Sequence, residues 1–239
     1  MGDRFTNRSA LVTGHASGIG AATAALLARE GAQILGVDRS SGRDVSDPLM
    51  WDSIADDLAH IDIAVINAGI SSAGPIAEME YGEWRRTMAV NLDGAMLSLR
   101  AAMRAMIAHG RGGAIVVTAS ISGVKAEHGV GAYGASKAGA IQLARVAAKE
   151  GAAHRIRVNA IAPGGVDTPI WDRMPFFAQM VEQHHGDRTA ALKAMAAMAT
   201  PLGRYAAADE TAAQIAFLLS DAAATITGAV LTADGGYSL

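Results

Sequence analysis

Thr13-Gly14-His15-Ala16-Ser17-Gly18-Ile19-Gly20 is the stretch whose reading decides the fold. It joins a short apolar run, Ser9 to Val12, to an Ala- and Leu-rich segment, Gly18 to Arg29, whose apolar residues have helical spacing. In such a strand-to-helix turn Gly14 permits a tight bend and Gly18 lets backbone approach a pyrophosphate. Gly20 lets the helix pack close on the strand. With Ser17 and Ile19 in the same turn, the helix N-terminus presents unpaired N–H groups and a positive dipole end to the phosphates. A glycine-rich turn without a ligand is the competing reading of these eight residues taken alone.

Outward from the loop, the same alternation continues along the whole chain. Gly31 closes the first helix as a residue just past a C-cap does, and Gln33 to Val37 is a second strand. Pro48 to Leu58 follows as a helix, then Ile61 to Ile66 and Ala114 to Val117 as strands around a long helical stretch from Tyr81 to His109. Tyr133 to Ala152 is a helix, Arg157 to Ile161 a strand, Glu210 to Leu219 a helix and Ala229 to Thr232 a final strand. Continuous apolar strands alternating with helices predict a parallel sheet covered on both faces. The expectation is an α/β, Rossmann-like, doubly wound sheet of about seven strands, the third of them short. No internal repeat or Pro/Ser-rich linker divides residues 1–239, so a single domain is expected. The one irregular-looking stretch, Pro163 to Leu202, carries Met, Phe and Trp and is a candidate lid over residues 164–202.

Composition narrows the function classes. Hydrophobic residues make up 51% and charged residues 18%, which suits a buried core rather than disorder. A formal net charge of −3 gives no electrostatic case for nucleic acid or an anionic membrane. With no cysteine, disulfides, thiolate catalysis and Cys-based zinc sites are excluded. Met1 to Arg8 is polar and without a signal-peptide core, and no apolar run approaches the roughly 18 residues of a membrane span. A cytoplasmic protein is the expectation.

The second strand ends in Asp38, where a carboxylate accepts hydrogen bonds from both hydroxyls of an adenosine ribose and repels a 2′-phosphate. With the glycine loop, this points to NAD over NADP, although Arg39 follows immediately and is placed to meet a 2′-phosphate. Further on, Tyr133-Gly134-Ala135-Ser136-Lys137 puts tyrosine and lysine four apart on one helix face. A tyrosine is too weak an acid to exchange protons readily at neutral pH, and a neighbouring ammonium favours the phenolate. Ser120, thirteen positions before Tyr133 and just past a strand, lies at the sheet edge where ligands bind. There it is placed to hydrogen-bond a substrate oxygen.

Together these residues resemble the short-chain dehydrogenase/reductase family. The motifs that carry the resemblance are Thr13 to Gly20, Asn67-Ala68-Gly69, Asn91, Ser120, Tyr133 with Lys137, and Pro163-Gly164, in family order over essentially the whole chain. The resemblance implies that Tyr133 is the general acid/base, that Lys137 also holds the nicotinamide ribose, and that Ser120 polarises the substrate oxygen. Asn91 would maintain a water relay to Lys137 by interrupting its helix, and Asn67, Ala68 and Gly69 would line the adenosine-ribose side. Val166 and Thr168, after Pro163 and Gly164, would bind the carboxamide. One departure stands out. In most relatives a helix separates the acidic residue of the second strand from an Asp-Val pair that contacts adenine, but here Asp38 and Asp44-Val45 are six positions apart. The third strand is therefore expected to be short and its preceding helix missing.

Trp171, Met174, Phe176, Phe177, Met180, Met195 and Met198 cluster in the candidate lid and suit an apolar substrate, or else pack among themselves. Trp171 and His128 are candidate substrate contacts. His184-His185 is set aside as a metal pair because adjacent helical residues point apart, and no metal is expected. In the family, the C-terminal stretch Ile226 to Leu239 and the long helices commonly build a homotetramer, with a homodimer as the smaller assembly. The expected activity is hydride transfer between NAD(H) and a small-molecule secondary alcohol or ketone, with a cyclic alcohol, diol or steroid-like hydroxyl fitting the lid. The rivals are an NADPH-dependent 3-oxoacyl-thioester reductase, against which Asp38 counts, and a non-catalytic dinucleotide-binding protein.

Overall fold

Buried β-branched runs set the framework. In the computed structural model, which describes residues 3–239, the first half of the chain forms β1 (Ser9–Thr13), α1 (Gly18–Arg29), β2 (Gln33–Val37), α2 (Pro48–Ser53), β3 (Ile63–Ile66), α3 (Tyr81–Met88) and α4 (Gly94–His109). The second half forms β4 (Gly113–Thr118), α5 (Gly131–Gly151), β5 (Ile156–Pro163), β6 (Val166–Asp167), α6 (Pro175–Gln183), α7 (Arg188–Ala199), β7 (Ala206–Ala207), α8 (Ala208–Leu219) and β8 (Val230–Ala233). Six strands make one parallel sheet in the order β2-β1-β3-β4-β5-β8, while β6 and β7 form a separate two-stranded pair. Because β2 lies on one side of β1 and β3 on the other, the chain reverses direction across the sheet at β1. The crevice that opens at the carboxyl ends there is where such sheets bind ligands.

Both faces of the sheet are covered, as continuous apolar strands require. On one face Leu11, Ile115, Val117 and Val158 pack with Trp51 of α2, Leu97 and Met106 of α4, and Ile141 of α5. On the other, Val12, Val65, Val116 and Ile161 pack with Leu27 of α1 and Ile215 of α8. Arg157 ties β5 to the end of α8 by donating to the carbonyls of Leu218 (2.8 Å), Leu219 (3.2 Å) and Ser220 (3.0 Å), which satisfies groups a helix terminus leaves open.

Two expectations are corrected by the structure and another is given its form. The short third strand does not form among the described residues, so the main sheet has six strands rather than about seven. After β2 the chain turns through a 3₁₀ segment, Arg39–Ser41, ended by Gly42 at φ +76°, where glycine meets no steric penalty. Asp44 then spends its carboxylate on Ser46, accepting from its N–H at 2.9 Å and its hydroxyl at 2.7 Å. Asp47 caps α2 with Pro48 at its first position, so no length remains for a strand, and α2 ends at Ser53 rather than Leu58. Secondly, Tyr81 to His109 is helical, and the interruption implied at Asn91 takes the form of a π-helical turn, Ala89–Asp93, between α3 and α4. Thirdly, the lid is not irregular. It contains α6 and α7, which hold their own small core of Phe177, Ala191 and Leu192.

Candidate active site

The glycine loop shows why its residues must be small. Gly14 and Gly18 have φ of +67° and +54°. A Cβ on Gly14 would lie 2.9 Å from Ala68 Cα, and one on Gly20 would lie 2.1 Å from the Gly14 carbonyl oxygen. The loop is held to the next strand end by Thr13, whose hydroxyl accepts from Asn67 N (2.8 Å) and Ala68 N (3.0 Å), and by Asn67 Nδ2, which donates to the Thr13 carbonyl (3.1 Å). Asn67 and Ala68 thus brace the loop, and Thr13, which sequence reasoning had not singled out, is the hub of the bracing. A Cβ on Gly18 would come within 3.2 Å of Thr168 Cγ2, so the loop and the segment after β5 face each other across a narrow gap. That cradle, with the N-terminus of α1 behind Ser17 and Ile19, has the donors and the clearance a dinucleotide pyrophosphate needs. The residues present fit the group.

Asp38 sits at the carboxyl end of β2 beside this loop, accepting from Ser40 N at 2.8 Å and from Ala16 N at 3.3 Å. Partial burial works to raise its pKa. The hydrogen bonds from Ser40 and Ala16 and the charge of His15 overcome that and hold it below the usual carboxylate value. His15 packs over Gly36, where a Cβ would meet the imidazole at 2.5 Å. Arg39 is exposed. Asp44 is turned to Ser46, and Val45 is buried against Gly94, whose Cβ would reach Val45 Cγ2 at 2.8 Å.

The catalytic candidates come from three elements and meet at the carboxyl edge of β4. Ser120 lies two residues past that strand, is 8% exposed, and caps the turn Ile121–Gly123 by accepting from Ser122 N at 3.2 Å. Capping uses a lone pair and leaves the hydroxyl proton free to donate. The turn seats tightly on α5, since a Cβ on Gly123 would lie 2.7 Å from the Lys137 carbonyl carbon. Lys137 is 5% exposed and donates from Nζ to the Thr118 carbonyl at 2.9 Å, with Nζ 5.8 Å from the centre of the Tyr133 ring. Burial pulls its pKa down to about 8.

Tyr133 shows where the helical pairing alone misleads. Its phenol is pushed up by burial, and a hydrogen bond from Ser120 offsets this only in part. Glu127, between the two residues in sequence, adds a negative charge that pushes in the same upward direction. Lys137 does not turn its ammonium to the phenol but to Thr118, so the activation expected from the pair is not complete in the chain alone.

Asn91 stands in the π-helical turn, which aims its side chain out of the helix ladder. Its Oδ1 accepts from Ile70 N (2.8 Å), and its Nδ2 donates to the Ile70 carbonyl (2.9 Å) and to Ser136 Oγ (3.1 Å). Ser136 in turn donates to the Tyr133 carbonyl at 2.7 Å. A Cβ on Gly69 would sit 3.2 Å from Lys137 Nζ and 3.3 Å from Asn91 Oδ1. Asn67-Ala68-Gly69, Asn91 and Lys137 are therefore one assembly.

Beyond Pro163, Gly164 runs against Asp234, and Gly165 lies under the Tyr205 ring, where a Cβ would clash at 2.2 Å. Val166 and Thr168 are buried, 5% and 8% exposed. Trp171 is fixed by its own contacts, donating from Nε1 to the Val166 carbonyl at 2.7 Å and stacking on Tyr205 with ring centres 5.4 Å apart. Met174, Met180 and Met195 pack around Phe177, so much of the lid's apolar surface is spent within the lid. His128 is exposed, whereas Glu127 is half-buried.

Comparison with known proteins agrees with this geometry. A family model described as enoyl-(acyl carrier protein) reductase matches residues 43–238. The chain is 39% identical to a cis-4-hydroxycyclohexanecarboxylate dehydrogenase of Sinomonas cyclohexanicum, over 100% of this chain and 99% of that protein. It is 38% identical to a D-threitol dehydrogenase of Mycolicibacterium smegmatis, over 99% and 95%. Among solved structures, a carveol dehydrogenase from Mycobacterium avium in complex with NAD superposes with a TM-score of 0.89 at 27% identity, covering 98% of this chain and 99% of that one.

Proposed function

The chain belongs to the short-chain dehydrogenase/reductase family and is an oxidoreductase of CH–OH groups, and on that premise we propose that it oxidises a secondary alcohol to the ketone, with NAD as the acceptor. The observation that carries the reading is the meeting of Ser120, Tyr133 and Lys137 at the edge of β4, across the crevice from the glycine loop and Asp38. When bound, the dinucleotide supplies the hydride acceptor and, in its oxidised form, a positive charge. Ser120 donates a hydrogen bond to the substrate oxygen, keeping its own proton, and fixes its position. Tyr133 Oη takes the proton that leaves that oxygen, and gives it back in the reverse direction. Lys137 holds the nicotinamide ribose and steadies the phenolate, its own position set by Thr118 and by the Asn91 assembly. Gly14, Ser17, Gly18, Ile19 and Gly20 hold the pyrophosphate, while Val166 and Thr168 meet the carboxamide.

Asp38 supports NAD over NADP, because its carboxylate, held ionised, accepts from ribose hydroxyls and repels a 2′-phosphate. The same feature counts against NADPH-dependent reduction of a 3-oxoacyl thioester. A cyclic alcohol or a diol is the substrate class, in keeping with relatives named for a hydroxycyclohexanecarboxylate and for threitol. We further propose a homotetramer, in line with the apolar Met96 and Ile107 exposed on α4 and Val146 on α5.

The test is a dehydrogenase screen with NAD and NADP against cyclic alcohols, diols, sugars and hydroxysteroids. NAD-linked turnover of a cyclic alcohol or diol is expected. Absence of turnover across the panel, with NADH still bound, would return the chain to a non-catalytic dinucleotide-binding role.

A further inference from the structure

The lid was expected to make the substrate side apolar, yet most of its aromatic and thioether groups face one another. The polar groups on that side therefore carry more weight. A ladder of them leads away from Ser120. Ser120 Oγ accepts from Ser122 N at 3.2 Å, and Ser122 Oγ donates to Glu127 Oε2 at 3.2 Å. Glu127 is half-buried in the turn between Ser120 and Tyr133, and the phenols of Tyr237, Tyr205 and Tyr133 all feel its charge.

Its neighbour Lys125 does not neutralise it. That ammonium donates to the Tyr237 carbonyl at 2.8 Å and lies 4.4 Å from the centre of the Tyr237 ring. Among the described residues no lysine or arginine forms an ion pair with Glu127. A carboxylate has about four acceptor positions; Ser122 fills one and the Tyr237 phenol a second, which leaves two. An acceptor-only group, partly withdrawn from water and one side chain beyond the carbinol subsite, is suited to a hydroxyl donor.

We propose that Glu127 is a specificity-determining residue that accepts a hydrogen bond from a second hydroxyl of the substrate, so that the enzyme acts on diols and polyols in preference to mono-alcohols. The proposal rests on the alcohol dehydrogenase reading above and narrows it. The hydroxyl at Ser120 and Tyr133 is oxidised, and the hydroxyl at Glu127 is recognised and left intact. A carboxylate in this place also disfavours substrates that carry an anionic group near the carbinol, by like-charge repulsion.

The experiment compares kcat/KM for cis-cyclohexane-1,2-diol and cyclohexanol, with saturating NAD, in the wild type, Glu127→Gln and Glu127→Ala. A hydrogen bond to a charged acceptor predicts a wild-type preference for the diol of about ten- to a hundredfold. In Glu127→Ala the ratio falls to within about threefold, with Glu127→Gln between the two. A second readout is the pH profile of cyclohexanol oxidation. Its rise moves to lower pH in Glu127→Gln, because a negative charge near Tyr133 is gone; an unmoved rise would show that the carboxylate does not reach the reacting end of the site and would count against the proposal. NADH binding checks that each variant is folded. A diol-to-cyclohexanol ratio equal in the wild type and both variants, or a wild type that prefers cyclohexanol, overturns the role of Glu127 while leaving the alcohol reading standing. No turnover of either alcohol by the wild type overturns the alcohol reading itself.

Discussion

Lys137 is buried as an ammonium, and the fold bears the cost of it. Its pKa falls from 10.5 to about 8, which corresponds to about 3 kcal/mol of disfavoured charge at neutral pH. The folded value lies below the unfolded one, so the penalty is fully present below pH 8 and is relieved as pH rises from there towards 10.5. Replacing the lysine by an apolar side chain of similar length removes the charge from the interior. Lys137→Met is thus expected to be more stable than the wild type at pH 7, by about 1–3 kcal/mol, while losing turnover and binding cofactor more weakly. Thermal melts at pH 7 and pH 10 check this, with the gain shrinking at the higher pH. Asp38→Ala is expected to narrow NAD over NADP discrimination by about tenfold or more, read from kcat/KM with each cofactor. Identity and spacing were enough to single out Ser120, Tyr133, Lys137 and Asp38 as candidates. They did not show that Lys137 would turn to Thr118, or that the charge of Glu127 would act on Tyr133, because neither follows from helical periodicity.

At the scale of elements, the lid is fastened to the site by one guanidinium. Arg188, at the start of α7, donates to Asp172 Oδ1 (2.8 Å), Asp167 Oδ1 (2.6 Å) and the Thr168 carbonyl (3.0 Å), with its Cζ 5.7 Å from the centre of the Phe177 ring. Single exposed ion pairs are weak, but this cluster bridges α7 to the strand and loop that face Gly18. Arg188→Ala is therefore expected to raise KM several-fold with a smaller change in kcat, and to speed proteolysis within residues 171–199. Equal cleavage rates and an unchanged KM would show that α7 is held by other means. Existence and type were legible for the long elements, because α1, α5, β4 and β5 carry strong apolar patterns. An interruption at Asn91 was implied by the family resemblance, but its π-helical form was not legible, since Ala89–Asp93 has ordinary helical composition and Asn91's bonds to Ile70 and Ser136 are seen only in the fold. The missing third strand was half visible. The shortened spacing from Asp38 to Asp44 warned of it, but local hydrogen bonds at Asp44 and Asp47 decided that it would be absent altogether.

For the whole molecule, the parallel order β2-β1-β3-β4-β5-β8 brings four separated stretches of chain to one crevice: the glycine loop, Asn67-Ala68-Gly69, Ser120, and Val166 to Thr168. The strand-helix alternation pointed to that convergence, because a doubly wound sheet gathers its loops at the carboxyl ends of the strands. The proposed tetramer draws on exposed apolar faces of α4 and α5 rather than on the sheet. Light scattering is expected to return the mass of four copies of the 24.5 kDa chain, and a monomeric mass at micromolar concentration would refute the tetramer. On the proposed reading, this architecture serves to move one proton at Tyr133 while a hydride moves beside it. The most direct test is Tyr133→Phe, assayed for turnover of a secondary alcohol with NAD and for NADH binding in the same preparation. The account predicts a loss of about 10²–10⁴-fold in kcat with NADH affinity nearly unchanged. Turnover within a few-fold of the wild type would contradict it.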